Sequence, residues 1–336
     1  MGRVAGPYVP DENDRELLRM LHGGGEISGE EISERLHMTR AAVWKRVQRL
    51  RSLGYSIESA PRRGYWLAGD VLRPDDILAR LHTRWLGRTL VCQDVVDSTF
   101  HLARDLEAAG APDGAVAVAG QQTAGRGRLN RAWASPPDAG LYFNILLRPK
   151  LPPVQAVRLT PAVAVGVCEG LRGMGFDARI KWPNDIVIGA RKVCGMLLEM
   201  GGDMERLRFV SAGIGINVSQ GAEDFPEELR DRATSLAQET DRRLSRTEVL
   251  CVVLESAERA IDLCYADYGA LLENYRARSA TLGARVRATS ATGEASITGV
   301  ATDINENGEL IVQDDAGAPH VLRAGDVSIR GMMGYV

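Results

Sequence analysis

The sequence predicts an α+β protein of three domains, which we place at residues 1–68, 69–281 and 282–336. Short helical periodicities followed by a two-stranded ribbon fill the first segment. Longer apolar strands and helices alternate in the second, and short alternating strands separated by turns fill the third. A chain of 336 residues has room for about two domains of ordinary size and a third small one.

The composition is that of a globular protein. Hydrophobic residues make up 45% and charged residues 25%, and the net charge of -3 means that any nucleic-acid binding must come from a local basic patch. The five cysteines are scattered without a C-x-x-C pair, which indicates a reduced, cytoplasmic setting. The five histidines show no metal-ligand spacing and no run of about 20 apolar residues occurs, so we expect neither a metal site nor a membrane span.

Helix-capping signals organise the first domain. Ser28, with Glu31 three residues later, forms a capping box that opens a second helix. Thr39 caps a third helix, which we expect to end near Gly54, and residues 55–67 are predicted to form a two-stranded wing. Helices followed by a ribbon in this order are typical of a winged helix-turn-helix.

Charge in this domain favours DNA binding. Between Arg35 and Arg63 eight basic residues stand against one acid, Glu58. A basic third helix and a basic wing tip are what a winged helix-turn-helix needs to enter a major groove and touch the flanking phosphates. The residues expected to contact DNA are Thr39, Arg40, Lys45, Gln48, Arg49, Arg62 and Arg63. A solvated basic helix in a protein-interaction module remains the alternative.

The central domain contains a glycine- and arginine-rich loop, GRGRLNRAW, at residues 125–133. Its glycines let the backbone approach a ligand and its arginines suit phosphate or carboxylate, although a basic surface turn is the simpler alternative. The loop follows a predicted strand at 115–120. A strand at 90–95 runs into a helix start at Asp97-Ser98-Thr99, whose hydroxyls serve either as caps or as ligands. Because ligands tend to bind near strand ends in open sheets, we expect the loop and the helix start to flank one site.

Two lysines interrupt apolar strands further along. Residues 180–188 and 192–199 are predicted to be two strands joined by a turn, and Lys181 and Lys192 lie within them. A lysine in partly apolar surroundings needs an anionic partner. These lysines are therefore candidates for binding an anion, against the alternative that they face solvent at a sheet edge.

The remaining elements complete the second and third domains. A strand at 211–218 carries Gly213-x-Gly215 and ends near Asn217, which is weak evidence for a nucleotide site because G-x-G-x-x-G and P-loop sequences are absent. A buried helix is predicted at 154–174 and a long amphipathic helix at 246–275. Short strands that suggest a small β-barrel are predicted at 285–287, 295–300, 310–313 and 327–330, separated by turns at Thr292-Gly293, Asn307-Gly308 and Ala316-Gly317.

Four motifs occur in order behind the helix-turn-helix: GRGRxxRxW at 125–133, KWPND at 181–185, KxxGxLxE at 192–199 and GxGxN at 213–217. Together they resemble the biotin protein ligase family, in the bifunctional form that also carries a DNA-binding domain and represses biotin biosynthesis genes. The resemblance covers essentially the whole chain. It implies a central mixed α/β domain of the biotin/lipoate ligase type and an SH3-like β-barrel as the third domain.

The resemblance also implies a two-step reaction. Biotin and ATP give biotinyl-5'-adenylate and pyrophosphate, and a specific lysine of a biotin carboxyl carrier domain of acetyl-CoA carboxylase then attacks the adenylate. Bringing a carboxylate against a triphosphate requires fixed cations, and the triphosphate requires Mg2+. The residues expected to act in catalysis are Arg126, Arg128, Lys192 and Asp185.

Family positions also supply the expected ligand contacts. For biotin these are Ser98, Thr99, Gln122, Arg126, Arg128, Lys192 and Gly195. For ATP they are Arg128, Arg131, Trp133, Asn184, Asn217 and Arg330. Phe100 departs from the smaller or polar residue expected after Asp-Ser-Thr, which puts the depth of the biotin pocket in doubt.

The expected partners are the carrier protein, operator DNA and a second copy of the chain, which joins once the adenylate is bound. The loop at 125–133 is expected to be mobile until the adenylate orders it. Two alternatives stay open. One is a ligand-sensing transcription factor without transfer activity, which the intact Arg126, Arg128 and Lys192 disfavour; the other is a lipoate-type ligase, which the GRGRxxRxW loop disfavours.

Overall fold

The structure, a computed structural model, describes residues 11–22, 26–52, 55, 57–67, 72–202, 207–290, 296–324 and 327–331. The chain separates into two compact units, Met1–Arg80 and Leu81–Val336. The proposed boundary near residue 68 and the predicted helix end at Gly54 lie outside the described residues.

The first unit is helical with a short antiparallel ribbon. Its elements are α1 (Glu12–His22), α2 (Gly29–Arg35), α3 (Arg40–Ser52), β1 (Ile57–Ala60), β2 (Gly64–Leu67) and α4 (Pro74–Arg80). Both predicted caps are confirmed, since Ser28 Oγ accepts from Glu31 N at 3.0 Å and Thr39 Oγ1 accepts from Ala42 N at 3.2 Å. The helices enclose one apolar core, in which Leu17, Ile32 and Val47 are fully buried.

The second unit is built on a seven-stranded mixed sheet. Its elements are β3 (Leu90–Val96), α5 (Thr99–Ala108), β4 (Ala115–Gln122), β5 (Gly140–Leu147), α6 (Leu159–Gly173), β6 (Ala178–Lys181), β7 (Asp185–Ile188), β8 (Arg191–Gly202), β9 (Leu207–Asn217), α7 (Arg246–Ala266) and α8 (Tyr268–Arg278). The strand order is β3-β4-β5-β9-β8-β7-β6. Only β3 and β4 run parallel among these neighbouring strands.

The register places glycines side by side in the middle of the sheet. Gly195 pairs with Gly215 across β8 and β9, and Gly213 pairs with Leu197. Asn217 stands opposite Gly140 where β9 meets β5. The sheet therefore has a strip without side chains, over which larger groups can lie.

Two elements differ from the prediction. Residues 180–188 form two strands, β6 and β7, because a tight turn containing a cis Trp182–Pro183 peptide separates them. The single helix predicted at 246–275 is two helices, since Asp267 leaves the helical conformation and its carboxylate accepts from Ala270 N to cap α8. The sequence did not predict either break, because apolar residues lie on both sides of each and the apolar pattern continues across it.

Helices α6 and α7 pack closely on one face of the sheet. A Cβ on Gly166 of α6 would lie 2.5 Å from Ala257 Cα of α7, so this contact needs glycine. The stretch Pro153–Gly173 is long and apolar enough to cross a membrane by length and composition, and 67% of it is buried inside the fold. Burial of this extent is typical of a core helix.

The chain ends in a five-stranded antiparallel sheet. Its strands are β10 (Arg285–Ser290), β11 (Ser296–Ile304), β12 (Leu310–Asp314), β13 (Pro319–Leu322) and β14 (Val327–Gly331), in the order β13-β12-β11-β10-β14. Strand β13 was not predicted, and the turn predicted at Thr292-Gly293 lies outside the described residues. Side chains of the central domain donate hydrogen bonds to this part of the chain. Trp182 Nε1 donates to Gly308 O at 2.9 Å, Arg128 donates to Ala324 O, and Arg276 of α8 donates to Asp303 Oδ1 at 2.7 Å and to Ile304 O at 2.6 Å.

Candidate active site

A cavity of about 650 Å³ opens above the glycine strip of the second unit. The loop at 125–133 covers it, the turn at 181–185 forms one end, and residues 225–233 form a further wall. Eleven of the residues expected at the site line it: Thr99, Gln122, Arg126, Arg128, Arg131, Trp133, Asn184, Asp185, Lys192, Gly195 and Asn217.

The glycine- and arginine-rich loop is closed by its own backbone. Trp133 N donates to Gly125 O at 2.9 Å, and Gly127 N donates to Arg131 O at 2.8 Å. A Cβ on Gly125 would lie 2.5 Å from Trp133 O, so only glycine allows this closure. The loop therefore folds back on itself and carries its arginines to the cavity.

Trp133 lies flat against the glycine strip. Cβ atoms added to Gly195 and Gly215 would come within 2.8 and 2.5 Å of the indole. Lys192 Nζ is 5.1 Å from the indole centroid, close enough for a cation–π contact. Within the described part of the chain, the Trp133 Nε1 donor is buried without a hydrogen-bond acceptor. The absence of side chains on the strip thus makes room for an aromatic ring.

Lys192 has the anionic partner that its sequence context predicted. Its Nζ lies 2.7 Å from Asp185 Oδ1, and both side chains are mostly buried. Asp185 and Lys192 come from neighbouring strands, β7 and β8, which fixes the pair on the sheet. Lys181 also lines the cavity and is 5% exposed.

Arg128 is the loop arginine drawn furthest into the protein. Burial lowers the pKa of its guanidinium, the nearby Asp185 carboxylate raises it in part, and Arg131 lowers it further. The guanidinium donates to Asn184 Oδ1 at 3.1 Å and to Ala324 O. The Asn184 side chain is itself fixed, because its Nδ2 donates to Met196 O, and Met196 N donates to the backbone oxygen of Asn184 at 2.9 Å. Because little water screens a desolvated cation, an anion placed beside Arg128 would interact with it strongly.

A polar cluster stands at the other end of the cavity. Gln122 Oε1 accepts from Thr99 N at 2.9 Å and from Thr99 Oγ1 at 3.1 Å, while Gln122 Nε2 donates to Ser135 Oγ at 3.0 Å. Ser98 is 1% exposed and does not line the cavity; its hydroxyl accepts from Phe100 N as the cap of α5. Of the two hydroxyls, that of Thr99 is the one at the cavity wall.

Phe100 occupies space that a glycine leaves free. It is 3% exposed, and a Cβ on Gly213 would lie 2.6 Å from its ring. Because Phe100 lines the cavity beside Thr99 and Gln122, its ring bounds the pocket at this end.

The wall at 225–233 was not predicted. It brings Phe225, Leu229, Asp231 and Arg232 to the cavity. This segment is attached to the Lys192 backbone, because Lys192 N donates to Arg232 O at 2.8 Å and Thr234 N donates to Lys192 O at 2.9 Å. Sequence reasoning had no signal for it, since the segment has no motif and its pairing spans about forty residues of chain.

Asn217 is fixed by the same segment. Its Nδ2 donates to Thr234 O at 2.9 Å, and its Oδ1 accepts from Gln220 Nε2 at 3.4 Å. The orientation of the Asn217 amide at the cavity is therefore set by the protein. Arg330 lies in β14 opposite Arg287, and its side chain is outside what the structure describes.

The predicted DNA-contacting residues form a separate candidate surface on the first unit. Thr39, Arg40, Lys45 and Arg49 are exposed on or beside α3, Gln48 is half-buried, and Arg62 and Arg63 are exposed at the turn of the ribbon. Two of these cations have acidic neighbours: Arg40 pairs with Glu30 at 2.8 Å, and Arg63 pairs with Glu26.

Arg46 of the same helix differs from them. It is 14% exposed and pairs with Asp11 at 2.7 Å and with the fully buried Asp14 at 2.6 Å. It therefore holds α3 to α1, although it counted toward the basic balance of the sequence.

The fold and the site define a ligase that activates a carboxylic acid with a nucleotide. The enzyme domain has a mixed α/β structure and follows an N-terminal helix-turn-helix. Residues 92–217 match the Biotin/lipoate A/B protein ligase family, residues 14–66 match an HTH domain, and residues 281–330 match the Biotin protein ligase C terminal domain. The chain belongs to the biotin protein ligase family, in its bifunctional ligase/repressor form.

Individual relatives agree with this assignment. The chain is 36% identical to the bifunctional ligase/repressor BirA of Bacillus subtilis over 92% of its own length and 97% of the relative. It is 29% identical to BirA of Escherichia coli, over 94% and 96%. Among solved structures, the biotin protein ligase of Aquifex aeolicus in complex with biotin and ATP is 32% identical, with a TM-score of 0.63 over 73% of this chain and 99% of that one.

Proposed function

We propose that this protein activates biotin with ATP to biotinyl-5'-AMP and transfers the biotinyl group to a lysine of a biotin carboxyl carrier domain of acetyl-CoA carboxylase. We further propose that it is a cytoplasmic repressor of biotin genes that responds to biotin. The observation that supports this best is the convergence of Arg126, Arg128, Arg131 and Lys192 on one cavity that has a polar cluster at its far end.

In the first step the biotin carboxylate attacks the α-phosphorus of ATP. An O–P bond forms, the bond to the β-phosphate oxygen breaks, and pyrophosphate leaves with the electron pair. In this proposal Lys192 holds the oxygen that bridges carboxylate and phosphorus, and the Asp185 carboxylate, 2.7 Å from Lys192 Nζ, orients the ammonium. Arg126 and Arg128 hold the carboxylate and the α-phosphate, and Arg131 holds the triphosphate. Fixed cations in a desolvated site stabilise such a transition state without having to reorganise.

Mg2+ fits this site as a companion of ATP. Among the described residues no group of three or more His, Cys, Asp or Glu side chains is placed to hold a metal ion. Mg2+ in nucleotide sites is commonly held by one or two carboxylates together with phosphate oxygens, and Asp185 and Asp231 line the cavity. The ion would neutralise charge on the triphosphate.

The two ends of the cavity suit the two substrates. Thr99 and Gln122 offer a hydroxyl and an amide to the ureido ring of biotin, with Ser98 behind them, and the strip at Gly195 leaves room for the acyl chain. For ATP, Trp133 offers an aromatic face to adenine, while Asn184 and Asn217 offer fixed amides and Arg330 is the proposed contact from the terminal sheet. If a polar group of either bound ring had no hydrogen-bond partner, binding would be weaker by about 1–3 kcal/mol for each such group. These residues therefore select their substrates by hydrogen bonding.

In the second step the amine of the carrier lysine bonds to the carbonyl carbon of the mixed anhydride. The bond from that carbon to the phosphate oxygen breaks, AMP leaves with the electron pair, and the nitrogen of the new amide releases a proton to solvent. The same cations that neutralised the α-phosphate stabilise the departing AMP.

The repressor role rests on the first unit. We infer that the β1–β2 ribbon acts as the wing, that α3 enters the major groove, and that the terminal sheet is an SH3-like barrel. We also infer that the adenylate orders the loop at 125–133 and promotes a homodimer, so that two helix-turn-helix units span two half-sites.

The test of the ligase proposal is pyrophosphate release from ATP in the presence of biotin or lipoate. We expect release with biotin, its loss in Lys192→Ala and Arg128→Ala, and biotin transfer to a carrier domain. Release with lipoate alone would overturn the substrate assignment. Unchanged rates in both variants would overturn the residue assignment.

Two measurements test the repressor proposal. Duplex DNA binding should fall with salt, each phosphate contact contributing about 0.9 to the log–log slope. Sedimentation should show a shift toward dimer when biotin and ATP are added together. If the protein does not bind duplex DNA at low salt, the repressor proposal is wrong. If biotin and ATP cause no shift toward dimer, adenylate-promoted dimerisation is wrong, but the ligase proposal still stands.

A further inference from the structure

Glu199 closes the KxxGxLxE motif but takes no part in the reaction steps above. It lies on β8, and its side chain is 27% exposed. One carboxylate oxygen is 3.5 Å from Arg126 Nη2, and the other accepts from Arg104 Nη2 at 3.2 Å. Glu199 is thus an acid beside one of the loop arginines assigned to the biotin carboxylate.

Arg126 has a second neighbour on another element. Its guanidinium carbon lies 5.4 Å from the centroid of the Phe100 ring, within the range of a cation–π contact. The ring of Phe100 can stand there because Gly213 beneath it has no side chain. Arg126 therefore contacts a carboxylate from β8 and an aromatic ring from α5, both outside its own loop.

These two contacts matter because of where Arg126 is attached. It lies between Gly125 and Gly127, and its side chain is 42% exposed. Fixing a long side chain on such a backbone costs conformational entropy, which lowers affinity if the ligand alone has to order it. Contacts that hold the guanidinium once the loop has closed reduce the part of that cost that the ligand has to offset.

We propose that Glu199 and Phe100 form a seat that positions Arg126 toward the carboxylate of biotin. The seat depends on the proposed ligase function. Glu199 acts through Arg126 and is a positioning residue. Arg104 holds the outer oxygen of Glu199 and is 58% exposed, so it offers a matched control on the same carboxylate.

The experiment uses the full-length protein and Glu199→Gln, which keeps the shape of the side chain and removes its charge. Biotin affinity is measured by calorimetry without ATP, and pyrophosphate release is measured with ATP. We expect the Kd for biotin to rise about fivefold, as for loss of one partly exposed ion pair, with KM rising in step and kcat within about twofold. Glu199→Asp, which keeps the charge, should recover part of the affinity, and Arg104→Gln should stay within about twofold of wild type.

A double-mutant cycle separates positioning from a general structural effect. In an Arg126→Gln background, Glu199→Gln should not weaken biotin binding further, because its only route to the ligand has been removed. An unchanged Kd in Glu199→Gln, an equal loss in both backgrounds, or an equal loss in Arg104→Gln would overturn the seat. If the wild-type protein neither binds biotin nor releases pyrophosphate with it, the ligase proposal itself fails, which is a different result.

Discussion

The cavity and the helix-turn-helix surface both gather arginines, but the protein holds them in different ways. Arg128 is desolvated, its pKa is lowered by burial and by Arg131 despite Asp185, and its guanidinium donates to Asn184 Oδ1 and Ala324 O. Arg40 and Arg63 are exposed and pair with acids, and the hydrogen bond that Arg63 donates to the Glu26 carboxylate raises the pKa of Arg63. A buried cation interacts strongly with an anion because little water screens it. Each exposed cation contributes a small share of the binding free energy, and that share falls as salt is added.

This difference predicts how much each arginine matters. One cavity arginine should carry a large share of catalysis, while one surface arginine should carry a small share of DNA affinity. Arg46 belongs to neither set, since its partners are Asp11 and the buried Asp14. Three of the substitutions below test this division, and Gly215→Ala tests how rigid the cavity is.

The largest effect is expected for Arg128→Gln. Removing one preorganised charge from a desolvated site should lower the kcat for pyrophosphate release about 100-fold. The DNA affinity of the ligand-free protein should not change. Arg49→Gln on α3 is the control, and it should have the opposite pattern. If Arg128→Gln lowers kcat less than about tenfold, one cavity arginine contributes to catalysis as little as one surface arginine contributes to DNA affinity.

The next effect concerns the stability of the first unit. Arg46→Gln leaves the fully buried Asp14 carboxylate without this partner and should destabilise residues 12–52 by about 2 kcal/mol, less than for a wholly buried pair. Hydrogen exchange of the α1 and α3 amides reports this unit by itself. If the α1 and α3 amides are equally protected from exchange in Arg46→Gln and Arg49→Gln, Arg46 contributes no more to stability than an exposed surface cation.

A third substitution tests whether the cavity is rigid. A methyl group on Gly215 would lie 2.5 Å from Trp133 Nε1, so Gly215→Ala should displace the indole and destabilise the protein by about 1.5 kcal/mol. Thermal unfolding and the KM for ATP measure the two consequences. Gly173→Ala is the matched control, because a Cβ there meets nothing within 4 Å. If Gly215→Ala and Gly173→Ala have the same unfolding temperature and the same KM for ATP, the glycine strip and Trp133 move apart without cost to admit the methyl group.

The smallest effect is expected for Glu26→Gln. The hydrogen bond from Arg63 holds the pKa of Glu26 below its ordinary value, so the pair persists at neutral pH and is lost only as the pH falls through that lowered pKa. Releasing Arg63 should tighten DNA binding about twofold at low salt, and the gain should disappear at high salt. Weaker binding would mean that Glu26 orients Arg63 for the phosphate.

Local rules predicted much of the fold. Capping residues located α2, α3 and α5 within a residue or two, and runs of apolar or small residues located β3, β4 and β9. The breaks at Trp182-Pro183 and at Asp267 were missed, since the apolar pattern continues on both sides of each. Strand β13 was missed because only four residues form it, and its pairing partner β12 is what makes it a strand.

The site was predictable where it has motifs. Arg126, Arg128, Asp185 and Lys192 were found from sequence and lie around one cavity. The wall that contains Asp231 and Arg232 was not found, because its place depends on hydrogen bonds to the Lys192 backbone that no local pattern encodes. The charge count also included Arg46, although it is not among the predicted DNA contacts, because a count cannot tell a solvated cation from one paired with a buried acid.

The bonds from Trp182 to Gly308 and from Arg128 to Ala324 join the terminal sheet to the cavity. An agent that loosens the terminal sheet would therefore also free Arg128, so inactivation should begin before the central sheet melts. In a heat-inactivation series, loss of pyrophosphate release would precede loss of helix signal. Biotin and ATP, by holding the loop from the other side, would delay both and draw the two curves together.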